Sequence, residues 1–296
     1  MDINKIKKDG KAGLANALVE IEKDPFDKKS LSLLTQAYKS KNGSILGITG
    51  PPGVGKSSLI KNLINYYRNK KKTIAVIAVD PSSKKTKGAL LGDRIRLETD
   101  PNDKGLFIRS MAARDKLGGL ASITLSSTIL LNALFDITII ETVGVGQSET
   151  DISNIADTVL FCVQPGSGDS LQFMKAGIVE IPDIIAITKS DLGNVAANTY
   201  NDVVNSIKIG NYSREENMPI ILVSSKDEKN IQTLAKKIDE QQKKKLRFKN
   251  EKKEVRAAFW LEESIKEQFG ISGLKKLKNI EINKNSPFLQ FLKIVK

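Results

Sequence analysis

Short apolar runs alternate with longer amphipathic stretches from Ser44 to about residue 240. Continuous apolar runs are typical of strands that are buried on both faces of a sheet, and intervening helices indicate parallel βαβ connections. The pattern therefore predicts an α/β fold with a mostly parallel sheet flanked by helices. The predicted strands are Ile45–Thr49, Thr73–Val79, Ile137–Ile140, Thr158–Val163, Ile184–Thr188 and Ile220–Val223.

Both ends of the chain have helical periodicity instead. Leu14, Leu18 and Ile21 share one helical face, and a second helical segment follows Pro25. After residue 240, the charged segment Gln241–Glu254 leads into an amphipathic helix, which either packs on the core or forms an oligomer surface. We predict an N-terminal helical extension (1–43), an α/β domain (44–240) and a C-terminal helical module (241–296).

Composition excludes several classes of chemistry. The 296 residues include 40% hydrophobic and 27% charged side chains, which is typical of a folded globular protein. The chain has no histidine, so histidine-based catalysis, histidine metal ligands and histidine phosphorelay are excluded. Cys162 is the single cysteine and lies in an apolar run, which predicts a buried, inert thiol.

The net charge of +13 raises the question of nucleic-acid or membrane binding. Most basic residues are lysines within helical stretches and have few aromatic neighbours for base stacking, so solvated helix faces are the better interpretation. The N-terminus has no apolar signal core. The apolar stretch Ile123–Ile140 is interrupted by polar residues and predicts a buried helix followed by a strand. We expect a cytoplasmic protein that binds neither nucleic acid nor membrane.

The segment Gly50–Ser57 has the sequence GPPGVGKS, which matches the phosphate-binding loop G-x-x-x-x-G-K-[ST]. It follows a predicted strand and precedes a helical run, as this motif requires. Backbone N–H groups and the helix N-terminus surround the phosphates, Lys56 places a positive charge on them, and Ser57 offers a hydroxyl to Mg²⁺. The expected nucleotide-binding residues here are Gly50, Pro51, Pro52, Gly53, Val54, Gly55, Lys56, Ser57 and Ser58.

Two further strand ends carry candidate base-binding residues. The sequence TKSD at Thr188–Asp191 resembles the N-K-x-D element of GTPases, with Thr188 in place of Asn. The carboxylate of Asp191 can accept hydrogen bonds from guanine N1–H and from its exocyclic amine, and adenine lacks both donors. Thr188 keeps one hydroxyl contact, and Lys189 lies between them. Ser224, Ser225 and Lys226 follow the last predicted strand and can present a backbone N–H to guanine O6.

Three acidic residues, Asp80, Asp93 and Glu141, are candidates to join Ser57 at the magnesium ion. Mg²⁺ keeps several waters and takes few carboxylates, so we expect some of them to act through water. We predict catalytic roles for Lys56, Glu141 and Gln147. Gln147 lies two residues beyond Val145, the position where Ras-like enzymes carry the glutamine that orients water, so slow intrinsic hydrolysis is expected.

Together these segments resemble the methylmalonyl-CoA mutase-associated GTPases of the MeaB/ArgK type, called MMAA in animals. The resemblance spans most of the chain. It implies that Asp80, Asp93 and Glu141 lie near the metal, that 164–169 is an additional switch, and that the C-terminal module forms a homodimer. Besides the phosphate-binding loop, the similar segments are Asp80–Ser83, Leu91–Arg94, Phe107–Ser110, Leu117–Ala121, Glu141–Glu149, Gln164–Asp169 and Lys175–Ile178.

The resemblance implies a GTP-binding and GTP-hydrolysing chaperone with GTP/GDP and Mg²⁺ as cofactors. Its partner would be an adenosylcobalamin-dependent acyl-CoA mutase, whose cofactor loading or protection it regulates. Three alternatives stay open: an ATPase or kinase that serves lysine, arginine and ornithine transport, a nickel-delivery GTPase, and a nucleotide-binding scaffold without catalysis. A nickel protein needs His or Cys clusters, and this chain has no His and one Cys.

Overall fold

A computed structural model describes residues 2–40, 43–80, 100, 102–112, 122–142, 148–166, 181–209, 218–277 and 287–294. The strands are β1 Ser44–Thr49, β2 Ile74–Asp80, β3 Leu106–Ala112, β4 Ile137–Glu141, β5 Thr158–Val163, β6 Ile184–Ile187 and β7 Ile220–Leu222. The helices are α1 Ile3–Lys23, α2 Lys28–Lys39, α3 Lys56–Asn69, α4 Ser122–Asn132, α5 Ser148–Ile155, α6 Asn194–Ile209, α7 Ile231–Lys245, α8 Lys249–Leu277 and α9 Pro287–Ile294.

The strands form one seven-stranded sheet in the order β3-β2-β4-β1-β5-β6-β7, and all neighbouring pairs are parallel. This confirms the predicted α/β class. The register pairs Ile48 of β1 with Glu141 of β4. The carboxyl ends of these two strands are therefore adjacent, and the loop that follows β1 lies beside Glu141.

Helices cover both faces of the sheet, as continuous apolar strands require. On one face, α3 and α7 pack through Leu59, Leu63, Leu234 and Ile238. On the other face, a larger apolar cluster joins the sheet to the helices from both ends of the chain, and α6 packs against β5 and β6. Cys162 is buried, which confirms the sequence prediction.

The terminal helices meet in an aromatic cluster. Trp260 of α8 is fully buried and contacts Phe26, Phe288 and Phe291, with ring centroids 4.7 to 6.5 Å apart. Its indole N–H donates to the hydroxyl of Ser126 at 2.8 Å, so the one polar atom of this side chain is satisfied. The N-terminal and C-terminal helices are thus parts of the same core layer.

Two charged contacts attach these helices to the sheet. Arg109 of β3 donates to both carboxylate oxygens of Glu22 in α1, at 2.7 and 2.6 Å. Arg256 of α8 forms a buried ion pair with Asp157, which precedes β5. The predicted division into extension, domain and module stays a prediction, and residue 240 lies inside α7.

The sequence predictions of the strands were accurate to one residue at each end, but β3 was missed. It is an edge strand that carries Arg109 and Ser110, so it has no continuous apolar run. The charged segment Gln241–Glu254 is largely helical. Ile123–Ile140 folds as predicted, as a helix followed by a strand. In the part of the chain that the structure describes, we find no helix with the length and apolar surface needed to cross a bilayer.

Candidate nucleotide-binding site

The segment Gly50–Ser57 turns sharply from the end of β1 into the start of α3. Gly50, Gly53 and Gly55 have φ angles of 137°, 77° and 95°, a region that glycine enters without steric cost. A Cβ atom added at Gly50 would lie 2.3 Å from the carbonyl oxygen of Cys162. The loop therefore lies against the end of β5 at a distance that only glycine allows.

Lys56 is the first residue of α3, and its side chain folds back into the loop. It is 7% exposed, and its ammonium donates to the carbonyl oxygens of Gly50 and Pro51 at 2.6 and 3.0 Å. The charge therefore lies within the turn, at the N-terminus of a 14-residue helix. A helix N-terminus, inward-facing backbone N–H groups and a held ammonium together suit a phosphate chain.

Ser57 and Glu141 form the candidate metal site. The hydroxyl of Ser57 donates to Glu141 Oε1 at 3.0 Å, and Glu141 is 7% exposed at the end of β4. Beside them, the hydroxyl of Thr142 donates to that of Thr49 at 2.8 Å and joins the ends of β4 and β1. A hydroxyl and one carboxylate, both hard oxygen donors, suit Mg²⁺, which retains waters for its remaining positions. These residues fit the ion.

The other predicted metal and catalytic residues are not placed in this way. Asp80 ends β2, but its side chain lies outside the described residues. Asp93 and Gln147 lie outside them as well. The ligand roles of Asp80 and Asp93 and the catalytic role of Gln147 remain predictions.

On the other side of the loop, Thr188 directly follows β6, and its side chain hydrogen-bonds to the phosphate-binding loop. Its hydroxyl is a donor within reach of two carbonyl oxygens, Val54 at 2.7 Å and Val163 at 3.1 Å, and the residue is 2% exposed. The sequence prediction assigned this hydroxyl to the base, whereas the structure directs it to the loop. A hydroxyl has a single hydrogen to donate, and that of Thr188 is directed to these carbonyl oxygens, so Thr188 holds the loop in place.

Beyond Thr188, Lys189 is half-buried and Asp191 is exposed. Lys189 has a left-handed backbone (φ 51°), and its ammonium donates to the carbonyl of Gly53 at 2.9 Å and to the side chain of Gln164 at 2.8 Å. The hydroxyl of Ser224 donates to Asp191 at 2.8 Å, and this hydrogen bond is the main cause that lowers the pKa of that carboxyl. Asp191 is thus an oriented, ionised acceptor that faces solvent.

The segment Ser224–Lys226 is fixed by a contact that the sequence does not reveal. Ser224 is fully buried, and its backbone N–H donates to the carbonyl of Lys229. The side chain of Asn62, in α3, donates to the carbonyl of Ser225 at 3.0 Å. Asn62 therefore connects the segment Ser224–Lys226 with α3, the helix that begins at the phosphate-binding loop. Lys226 lies close enough to Asp191 to lower its pKa further.

All of these residues lie at the carboxyl edge of the sheet. Along that edge, Glu141 follows β4, the glycine loop follows β1, Thr188 to Asp191 follow β6, and Ser224 follows β7. Ligands of open α/β sheets bind at this edge, in the crevice outside the strand ends. This order brings Gly50–Ser57 and Glu141 together at β1 and β4, and it places the exposed carboxylate of Asp191 after β6.

Comparisons with known proteins give a family match. A family model described as methylmalonyl-CoA mutase-associated GTPase MeaB matches residues 13–275. A Pyrococcus abyssi protein that bears the name of a GTPase is 46% identical over 191 residues, which are 64% of this chain and 58% of that protein. The Caenorhabditis elegans protein named methylmalonic aciduria type A homolog, mitochondrial, is 42% identical over 148 residues, which are 49% of this chain and 37% of that protein. The chain thus spans less than two thirds of the length of both relatives.

Solved structures share the fold. A crystal structure of LAO/AO transport system kinase has a TM-score of 0.67 and 24% identity, covering 99% of this chain and 96% of that one. HypB from Helicobacter pylori in complex with nickel has a TM-score of 0.52 and 20% identity, covering 72% and 94%. At these identities the likeness shows the fold alone. The family model matches most of this chain, so the chain belongs to the methylmalonyl-CoA mutase-associated GTPase family, MeaB.

Proposed function

We propose that this protein binds GTP with Mg²⁺, hydrolyses it slowly to GDP and phosphate, and uses the nucleotide state to regulate an adenosylcobalamin-dependent methylmalonyl-CoA-type mutase. The observation that carries the nucleotide assignment is Asp191, an exposed and oriented carboxylate on the same sheet edge as the loop that holds Lys56. Family membership supports the mutase as the partner. Regulation means loading of the mutase cofactor or protection of the mutase.

Different residues would bind the phosphate chain and the base of the nucleotide. The backbone N–H groups of Gly53 to Ser57 and the ammonium of Lys56 bind the phosphate chain. Ser57 and Glu141 would hold Mg²⁺, which when bound supplies charge neutralisation at the phosphate oxygens. Asp191 accepts from guanine, and Thr188 and Lys189 hold the phosphate-binding loop against the end of β6. A slow rate follows from Val145, which has no polar group to orient water.

Guanine selectivity tests the role of Asp191. Two hydrogen bonds from guanine to one carboxylate provide about 1–3 kcal/mol, or roughly 5- to 150-fold in affinity. By titration calorimetry with Mg²⁺, GDP is expected to bind more tightly than inosine diphosphate, which lacks the exocyclic amine, and much more tightly than ADP. Asp191→Ala is expected to reduce these differences. The matched control is Asp202→Ala, which removes an exposed carboxylate from α6. Equal affinities of the wild-type chain for GDP and ADP would refute the assignment.

Co-purification tests the partner. A tagged chain loaded with a non-hydrolysable GTP analogue or with GDP is expected to retain a large acyl-CoA mutase subunit in amounts that differ between the two nucleotides. Lys56→Ala, which loses the phosphate-binding ammonium, serves as the control and is expected to remove that difference. Recovery of transport components alone would contradict the chaperone proposal.

The transport ATPase or kinase is the second candidate, and a protein named as a transport system kinase shares the fold. Incubation with γ-labelled GTP or ATP and a solute-binding protein separates the two, because a kinase leaves stable label on protein and a GTPase releases it as phosphate. For the nickel alternative, the described residues contain no group of three or more His, Cys, Asp or Glu side chains that could hold a metal ion.

We also infer that the C-terminal module 241–296 forms a homodimer. Its support is a set of large apolar side chains exposed on this module, which a second copy can cover. Light scattering is expected to give twice the chain mass, and Phe269→Glu together with Leu289→Glu is expected to give the monomer mass. The exposed residues are Leu246, Phe248, Val255, Phe269 and Leu289.

A further inference from the structure

A cavity of about 390 Å³ opens at the amino edge of the sheet, opposite the nucleotide-binding edge. Ser44 and Ile137, the first residues of β1 and β4, lie at its base. The end of α3, the end of α7 and the start of α8 form its walls. None of the residues assigned to nucleotide or metal above lines it.

The cavity is strongly basic. Six lysines and three aspartates line it, which gives a net formal charge of three positive. Each aspartate already accepts hydrogen bonds from the protein: Asp136 from Thr73, Asp157 from the backbone N–H of Ile45, and Asp239 from the Tyr67 hydroxyl. The carboxylates are therefore partly committed to structural contacts. The lysines are Lys70, Lys72, Lys243, Lys245, Lys249 and Lys252.

One amide side chain and one partly buried ammonium belong to the lining of this cavity. Gln242 accepts a hydrogen bond from the Ser44 hydroxyl at 3.1 Å, and its own Nε2 is buried with no hydrogen-bond partner among the described residues. The pKa of Lys252 is lowered, first by burial and then by the charge of Lys245. A bound anion would offset the repulsion between the Lys245 and Lys252 ammonium groups.

We propose that this cavity is a second ligand site, which binds a small phosphate anion with two or more negative charges, either free or as a group on a metabolite. The volume lies within the range of small-molecule pockets, about 300–1,000 Å³. A single-stranded nucleic acid would instead need a long groove with exposed aromatic side chains for base stacking. Tyr67 is the aromatic residue of the lining, and it is 2% exposed.

Titration calorimetry with inorganic pyrophosphate tests the proposal on protein saturated with GDP, so that the phosphate-binding loop is filled. The wild-type chain is expected to bind pyrophosphate, and Lys72→Gln combined with Lys243→Gln is expected to weaken this binding at least tenfold. Both lysines are exposed, so the fold tolerates the change. The control combines Lys208→Gln and Lys236→Gln, which removes the same charge from exposed positions outside the cavity.

Three outcomes would overturn the proposal. The first is the absence of pyrophosphate binding by the GDP-saturated wild-type chain, and the second is equal binding by the two double variants. The third comes from sedimentation with vesicles that contain an anionic phospholipid, because Leu246 is 59% exposed at the rim. Binding to these vesicles without binding of free pyrophosphate would assign the lysines to a membrane surface. Retention of pyrophosphate binding in Lys56→Ala would support the proposal, because that variant lacks the ammonium of the nucleotide site.

Discussion

Replacing Arg256 by Met removes one partner of a buried ion pair while keeping a side chain of similar length. The guanidinium is 7% exposed and the Asp157 carboxylate 12%, so the ion pair is largely screened from water by protein. Asp157 also accepts the backbone N–H of Ile45 at 2.8 Å, at the start of β1. The substitution therefore leaves a largely buried carboxylate with the backbone N–H of Ile45 as its hydrogen-bond donor, next to the central strand of the sheet and at the wall of the basic cavity.

The cost follows from that geometry. Breaking a buried ion pair by removing one partner costs about 3–5 kcal/mol, because the remaining charge stays desolvated. At about 2–4 °C per kcal/mol for domains of 150–250 residues, Tm is expected to fall by roughly 6–20 °C. Asp157→Asn in the Arg256→Met background removes the stranded charge, so the double variant is expected to recover part of the loss.

Urea denaturation at fixed saturating GDP measures this effect, since bound nucleotide itself stabilises the folded state. Arg247→Met is the matched control, because Arg247 lies on the exposed turn between α7 and α8 and contacts only the Phe248 ring among the contacts described for its side chain. Its free energy of unfolding is expected to change by less than about 0.5 kcal/mol. A change below about 1 kcal/mol for Arg256→Met would refute the reasoning.

Two further predictions concern the loop region. Thr188→Val removes the donor that reaches the Val54 and Val163 carbonyls. It is expected to lower the free energy of unfolding by about 1–3 kcal/mol and to weaken GDP binding. Thr188→Ser keeps the hydroxyl, so its stability and its GDP affinity are expected to stay near the wild-type values. Urea denaturation and calorimetry on both variants check this, and a Val variant equal to Ser would contradict it. Burial raises the pKa of the Cys162 thiol to about 12, so at pH 8 the thiol is neutral. Ellman's reagent is expected to label it slowly in the folded chain and rapidly in urea, and rapid labelling of the folded chain would show that Cys162 is accessible.

Much of the fold could be predicted from local patterns in the sequence. The inner strands are continuous apolar runs, so their ends could be predicted to one residue. The loop at Gly50–Ser57 could be recognised because its chemistry is contained in eight consecutive residues between a strand and a helix. Strand β3 was not predicted because an edge strand tolerates Arg109 and Ser110, and these residues interrupt the apolar pattern.

What the sequence could not show depends on contacts between distant residues. The bond from Asn62 to Ser225 joins positions 163 residues apart. The direction of the Thr188 hydroxyl depends on Val54, 134 residues away. The runs at 70–72 and 243–245 were interpreted as solvated helix faces, because each alone has that character. Lys70, Lys72, Lys243 and Lys245 line one cavity because the C-terminal ends of α3 and α7 lie side by side.

The aromatic cluster around Trp260 also constrains the order in which this protein can form. Phe26 stacks on Phe291 with ring centroids 4.9 Å apart, although almost the whole chain separates them. Closing a loop of that length has a large entropic penalty, and on the ribosome it must wait until α9 has emerged. Until then the apolar faces of α1 and α2 lack part of their cover. A nascent chain would therefore depend on chaperones longest at its own N-terminal helices, and loss of α9 would leave the same surface open to aggregation.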